Sequence, residues 1–318
     1  MTVRGHAPAA RELRFDPEPA ILARAGEPLP PRDDGQPLSS GYPAALLEKL
    51  PESLRALDRG CGDAGASLRE GDVVIDLGCG AGLCSAVCAA RVGAKGHVIG
   101  IDFNGRLVEA ARDASADVGQ ALGYRNLQFH RARVQDLTLD LESLDAWLGE
   151  RPLGSVDDLV QLDVECDRLR LEEPLLSARG ADVALANLTL SQVRLEDRAV
   201  MAREVARVLR PGGRLLIADL FASAPLPQPV RGDAARWAEG VGGAFVEAEL
   251  RAALEAAGFT AIEVTWRADT PYRSWQEVSL RAQVLQAVRD ESPAETQPLS
   301  RGWRGRLEVR VPLLAGVD

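Results

Sequence analysis

The sequence contains no C-x-x-C pair, and its cysteines, Cys61, Cys79, Cys84, Cys88 and Cys166, are odd in number. Neither a zinc site nor a paired disulfide framework is therefore expected, and the expected metal complement is none. Unpaired thiols fit a reducing, cytoplasmic setting. No apolar run is long enough to cross a bilayer, and the first residues carry no apolar leader segment, so no membrane partner is expected. Positive charge is not in excess either. The net charge is −10 and the pI about 5.0, which argues against nucleic acid or an anionic membrane surface as partner. No internal repeat is visible.

What is present is organised around one stretch. Val73-Val74-Ile75-Asp76-Leu77 is a short apolar run with β-branched residues, suited to a strand covered on both faces. Gly78-Cys79-Gly80-Ala81-Gly82 follows as a turn, and Leu83 to Arg91 reads as a helix whose amino end faces that turn. Val98 to Ile101 is the next strand, with Asp102 at its carboxyl tip and Phe103 beside it. In open α/β sheets, ligands bind outside the carboxyl ends of strands, where an acid can take ribose hydroxyls. A dinucleotide fingerprint, G-x-G-x-x-G, would need a third glycine where Leu83 stands. The Gly-Lys-Ser/Thr ending of a phosphate loop is missing as well. With no basic residue in the turn, the site is not built for phosphate.

The rest of the chain reads as alternating helices and strands. Residues 1–40 are expected to be a weakly ordered arm, with Phe15 and Ile21-Leu22 as docking points. Tyr42-Pro43 and Pro51 each open a helix, the second running through Leu54 and Leu57. Leu107 to Leu122 is an amphipathic helix, and Asn126 to His130 the third strand. Leu139 to Leu171 holds two inserted helices, which serve either as a lid or as a thickened edge. Ala181 to Leu188 is the fourth strand and Leu195 to Leu209 a helix. Pro211-Gly212-Gly213 breaks that helix before the strand Leu215 to Asp219. Glu247 to Ala257 is a helix and Phe259 to Trp266 a strand, while Trp275 to Val288 reads as a strand followed by a helix. Ser292 to Ser300 reads as a loop and Leu307 to Val311 as a last strand. The expected fold is α/β, a Rossmann-like doubly wound sheet with an inserted helical pair and a small C-terminal α/β extension. The expected division is residues 1–65 for the arm and helices and 66–221 for the core, with its insertion at 138–180. Residues 222–318 form a substrate-side region.

The pattern Asp76-x-Gly78-x-Gly80-x-Gly82 resembles the first motif of class I S-adenosylmethionine (SAM) methyltransferases. Gly60-Cys61-Gly62-Asp63, Gly93 through Asp102, and Trp237-Ala238-Glu239-Gly240-Val241-Gly242-Gly243-Ala244 are similar to arsenite methyltransferases. The resemblance implies SAM as cofactor, with the main chain of Gly78, Cys79, Gly80 and Gly82 as its cradle and Asp102 on the ribose. It implies Gln135-Asp136 at the adenine, with a loop-capping carboxylate as the other reading of Asp136, Asn187 at the strand-tip pocket, and Asp76 holding the turn or the methionine amine. The family binds trivalent arsenic through three cysteines. Cys61 occupies the first place, but Leu188 and Gly240 stand at the other two, and Asp58-Arg59 replaces an aromatic pair. One thiolate cannot replace a three-sulfur cage.

The reading is thus a methyltransferase for a small-molecule acceptor, with a repurposed pocket, as monomer or homodimer. Two alternatives stay open, namely transfer or cyclisation of the aminocarboxypropyl arm and a non-enzymatic SAM-binding protein. Candidate acceptor-side groups are Cys61, Glu239 and His130, of which Cys61 also reads as a turn residue and His130 as a core or strand-end histidine. Trp237 is read as packing or a pocket wall, and Tyr42, Tyr272 and Trp275 as packing or lid residues.

Overall fold

Strand β1 forms because its side chains have apolar company on both faces. The computed structural model describes residues 16–56 and 58–290. In chain order the helices and strands before the insertion are α1 (Glu18–Arg24), α2 (Ala44–Leu47), α3 (Glu52–Arg55), β1 (Val73–Leu77), α4 (Leu83–Val92), β2 (His97–Asp102), α5 (Gly105–Leu122) and β3 (Leu127–Arg131). Then come α6 (Leu141–Glu150), α7 (Val156–Glu172), β4 (Ala181–Asn187), α8 (Arg198–Val208) and β5 (Leu209–Ala222). The chain continues through α9 (Gln228–Arg231), α10 (Ala234–Ala238), β6 (Phe245–Val246), α11 (Glu247–Ala256), β7 (Phe259–Arg267), β8 (Arg273–Trp275) and β9 (Val278–Arg289). Val74, Ile75 and Leu77 of β1 are all buried, each contributing about 1.5–3 kcal/mol relative to exposure.

The strands form one sheet in the order β3-β2-β1-β4-β5-β9-β7, with β6 paired to β5 and β8 to β9. Strands β3, β2, β1, β4 and β5 run parallel, and β9 runs antiparallel to both β5 and β7. The chain leaves β1 toward β2 on one side and returns to β4 on the other. The order of strands therefore reverses beside β1, and a crevice opens at the carboxyl ends there. One apolar cluster covers Ile75, Leu77, Ala184 and Ile217 on one face, while another covers Val74, Val183 and Leu216 on the opposite face. This is the doubly wound arrangement expected for a Rossmann-like α/β fold.

Three expectations change. Residues 275–288 contain no helix: β8 and β9 form a hairpin whose turn includes Gln276 at φ 51°. Leu280, Ala282 and Val284 face one cluster and Leu285 and Ala287 the other, so a strand buried on both faces presents a near-continuous apolar run that mimics a helix. The arm is also more ordered than expected. Pro17 precedes α1, Ile21 is buried, and α1 packs on α10. Further along, the Tyr272 hydroxyl donates to Pro30 O at 2.9 Å and Ser274 N donates to Asp33 Oδ2 at 3.0 Å. Leu22 remains exposed, and Phe15 lies outside the described residues, as do Leu57, the loop at 292–300 and the strand at 307–311. Finally, α8 begins at Arg198 after a 3-10 turn at Leu195–Asp197, and the ladder of β5 starts at Leu209, with Arg210–Gly213 bulging between two paired registers. Gly212 takes φ 71° in that bulge, a backbone position that favours glycine.

The two inserted helices lie along the β3 edge. Arg112 of α5 holds Glu142 of α6 at 2.6 and 2.7 Å, and Arg170 of α7 holds Asp136 at 2.9 Å. No helix of the described residues is long and apolar enough to cross a membrane.

Candidate active site

Positive backbone angles at Gly78, Gly80 and Gly82, φ 73°, 54° and 95°, carry the chain from β1 into α4. Gly78 N and Cys79 N donate to Ile101 O at 2.7 and 3.0 Å, which folds the turn over the end of β2. A Cβ on Gly78 would lie 2.2 Å from Thr189 Cγ2, so only glycine fits between the tips of β1 and β4. Gly80 is different, for a Cβ there would meet nothing within 4 Å. Its main chain faces open cleft.

Asp102 ends β2 beside that turn. Its Oδ2 accepts from Gly80 N at 3.0 Å and its Oδ1 from Asn104 N at 2.9 Å. A carboxylate has about four acceptor positions, so capacity remains for hydroxyl donors from a ligand. The residue is buried yet lines the cleft. Burial lifts its pKa above the usual carboxylate range, opposed by the main-chain donors. Asp76 lies deeper and does not line the cleft. Its Oδ2 accepts from Ser85 Oγ at 2.6 Å, and its Oδ1 is buried without a partner. Burial is the main cause of its raised pKa of about 6.

Asn187, at the tip of β4, fastens the floor. Its Oδ1 accepts from Cys61 N at 3.0 Å, and its Nδ2 donates to Gly62 O at 2.9 Å and lies 3.2 Å from the Tyr42 hydroxyl. Gly60 is required beside it, since a Cβ would lie 2.7 Å from Asn187 Nδ2. Asp58 supports the same loop, accepting from Ser40 Oγ at 2.6 Å and from Gly60 N at 3.0 Å.

The cleft these parts enclose measures about 720 Å³, within the range of small-molecule sites. Gly78, Cys79, Gly80, Asp102, Phe103, Gln135 and Asn187 all line it. Gly82 does not, being packed against Ala111 and Phe129. Asp136 is not brought to the cleft wall, because its carboxylate is engaged by Arg170 and by the Thr138 hydroxyl at 2.8 Å. His130 also stays off the wall, with burial lowering its pKa. Cys61 is fully buried, and burial pushes its thiol well up, away from the thiolate form. Glu239 does not line the cleft and ties the roof, accepting from Arg24 at 3.1 Å and Arg236 at 3.0 Å.

Sequence reasoning missed the roof. Glu18, Ile21, Arg24, Leu29 and Leu38 line the cleft, whereas no residue of 138–180 does. The insertion thus stays outside the cleft wall, and residues between Glu18 and Ser40 cover the site. Arg133 links the two sides, pairing with Glu18 and stacking over the Phe103 ring at 5.9 Å. The one available signal was Pro17 ahead of a short helix with an acid at its start and Arg24 at its end.

Leu188 follows Asn187 at the end of β4. It holds φ 54°, rare for a non-glycine residue, and its side chain packs with Cys61 and Val241. A Cβ on Gly240 would sit 3.1 Å from Leu188 Cδ1. Positions 61, 188 and 240 thus converge, and a leucine side chain fills the point of convergence. Among the described residues no group of three His, Cys, Asp or Glu side chains is placed to hold a metal ion.

A glycine cradle open to the cleft, an acid at the next strand tip and no basic group in the turn suit a nucleoside carrying no phosphate. They place the chain among class I SAM-dependent methyltransferases. The chain belongs to the methyltransferase-domain family, whose profile, described as "Methyltransferase domain", matches residues 68–258. It resembles arsenite methyltransferases in particular. It is 29% identical over 210 residues to the arsenite methyltransferase of Halobacterium salinarum, covering 65% of this chain and 43% of that protein. An O-methyltransferase of Penicillium expansum is 29% identical over 198 residues, covering 62% of this chain and 55% of that protein. The chain thus spans about half the length of the curated relatives it matches. Among solved structures, an arsenic(III) SAM methyltransferase from Chlamydomonas reinhardtii shares the fold at a TM-score of 0.59 and 22% identity, covering 79% of this chain and 73% of that one.

Proposed function

We propose that the protein is a SAM-dependent methyltransferase for a small-molecule acceptor other than trivalent arsenic. The observation that carries the second half is Leu188, whose apolar side chain fills the place where a sulfur cage would require thiolates. Soft arsenic wants several sulfurs, and the single cysteine at this point is buried and held in its thiol form.

The residues fit SAM. Gly78, Cys79 and Gly80 would offer main chain to the methionine portion and the amino end of α4 would face its carboxylate. Asp102 would take the ribose hydroxyls with its free acceptor positions, and Phe103, Val134 and Gln135 would border the adenine. SAM supplies a methyl group already activated by its sulfonium. What the protein contributes is alignment and exclusion of water. Asn187 fixes the floor, and the tie from Arg24 to Glu239 holds the roof above it. The cleft acids Glu18 and Asp58 are engaged by Arg133 and by the Ser40 loop, and the Tyr42 hydroxyl is raised well above its ordinary pKa by burial. Neither carboxylate is free of a protein partner, and the buried phenol keeps its proton. An acceptor with a thiol, amine or activated carbon nucleophile suits such a site.

The test is product analysis after incubation with SAM and a panel of small nucleophiles. Methyl transfer leaves S-adenosylhomocysteine, whereas methylthioadenosine would mean that the aminocarboxypropyl arm had moved and would overturn the proposal.

A further inference from the structure

Three arginines line the cleft, and two of them are spent. Arg24 is held between Glu27 at 3.0 Å and Glu239 at 3.1 Å, and Arg133 pairs with Glu18. The third, Arg59, has no hydrogen-bond or ion-pair partner among the described residues, and its Nε is buried without one. The nearby acids do not meet this need. Its neighbour Asp58 is committed to Ser39, Ser40 and Gly60 and Glu27 to Arg24, while Asp102, held by main-chain N–H groups, acts on Arg59 through space and not through a hydrogen bond. Burial, joined by the repulsion of Arg24, makes the cationic form harder to hold, and Glu27 and Asp102 offset this only from a distance. Elsewhere the walls are largely apolar, with Ile21, Leu29, Leu38 and Leu188. A half-buried guanidinium without a partner is costly, and its planar fork matches a carboxylate.

We propose that Arg59 is the carboxylate-binding residue of this cleft, engaging a carboxylate of a bound small molecule through its guanidinium. The proposal rests on the SAM-site reading above. Two sources carry that group: the amino-acid tail of the cofactor, and an acceptor with an apolar body and an acid end.

The test uses the full chain and Arg59→Gln, which keeps bulk and removes charge. Calorimetry measures S-adenosylhomocysteine and methylthioadenosine, which share nucleoside and sulfur but differ in the amino-acid tail. Ligand-observed NMR on the S-adenosylhomocysteine-loaded proteins then compares matched small acids and amides, benzoate with benzamide and cinnamate with cinnamamide. Loss of about tenfold in S-adenosylhomocysteine affinity, with methylthioadenosine unchanged, assigns the cofactor tail. A preference for acids over amides in the wild type that disappears in Arg59→Gln, with nucleoside affinities unchanged, assigns the acceptor. If both proteins bind both nucleosides equally and neither prefers acids, the proposal is overturned. Failure of the wild type to bind either nucleoside would instead overturn the SAM-site reading, and with it this proposal.

Discussion

Replacing Asn187 with alanine should cost about 2–3 kcal/mol of stability. The side chain satisfies two main-chain groups of the loop before β1, Cys61 N at 3.0 Å and Gly62 O at 2.9 Å. Cys61 is fully buried, so water does not replace the lost partner, and a buried group left unpaired costs about 1–3 kcal/mol. The contact to the Tyr42 hydroxyl at 3.2 Å is longer and adds less. Urea unfolding followed by circular dichroism reads the change as a lower midpoint at unchanged slope. Asn187→Asp should do no better, since a carboxylate accepts from Cys61 N but cannot donate to Gly62 O. A loss below about 0.5 kcal/mol for Asn187→Ala, the size of an ordinary surface substitution, would refute the idea that this residue fastens the floor.

Other consequences concern charge and backbone. Asp76 is raised from 3.8 to about 6, so the folded state binds its proton more tightly than the unfolded chain. Stability from this group is full below about pH 4 and falls by about 3 kcal/mol as pH rises to about 6. Asp76→Asn should flatten that part of the ligand-free protein's stability–pH curve, and an identical curve for both proteins would contradict the assignment. Gly80→Ala and Gly78→Ala should separate binding from folding. The first places a methyl in open cleft at φ 54°, costing about 1–2 kcal/mol of stability but most of the S-adenosylhomocysteine affinity. The second drives a methyl into Thr189 at 2.2 Å and should lower the melting temperature far more. Equal effects of the two on stability would sink the distinction.

The turn between β1 and α4 was legible because its signals are local. A β-branched run, glycines at fixed spacing and an acid at the next strand tip all fall within residues 73–102, and the structure joins them through Gly80 N and Asp102 Oδ2. The roof was not, because α1 is only seven residues long and is held by contacts such as Arg24 to Glu239, 215 positions apart. Strand β9 misled for a related reason, since burial on both faces erases the alternation that marks a strand. For Asp136 the fold adds a partner that the local sequence does not show, as the inserted helix α7 supplies Arg170 to that carboxylate. The sequence does reveal that Leu188 and Gly240 are not cysteines, but only the fold shows that they meet beside Cys61.

The central claim is that Asp102 and the bare glycine turn grip a phosphate-free nucleoside. Calorimetric titration of S-adenosylhomocysteine into the wild type and Asp102→Ala measures it most directly. The account predicts binding to the wild type and at least about tenfold weaker binding to the variant, the loss of hydrogen bonds to a charged group. Equal affinities, or a wild type that ignores S-adenosylhomocysteine, would contradict it.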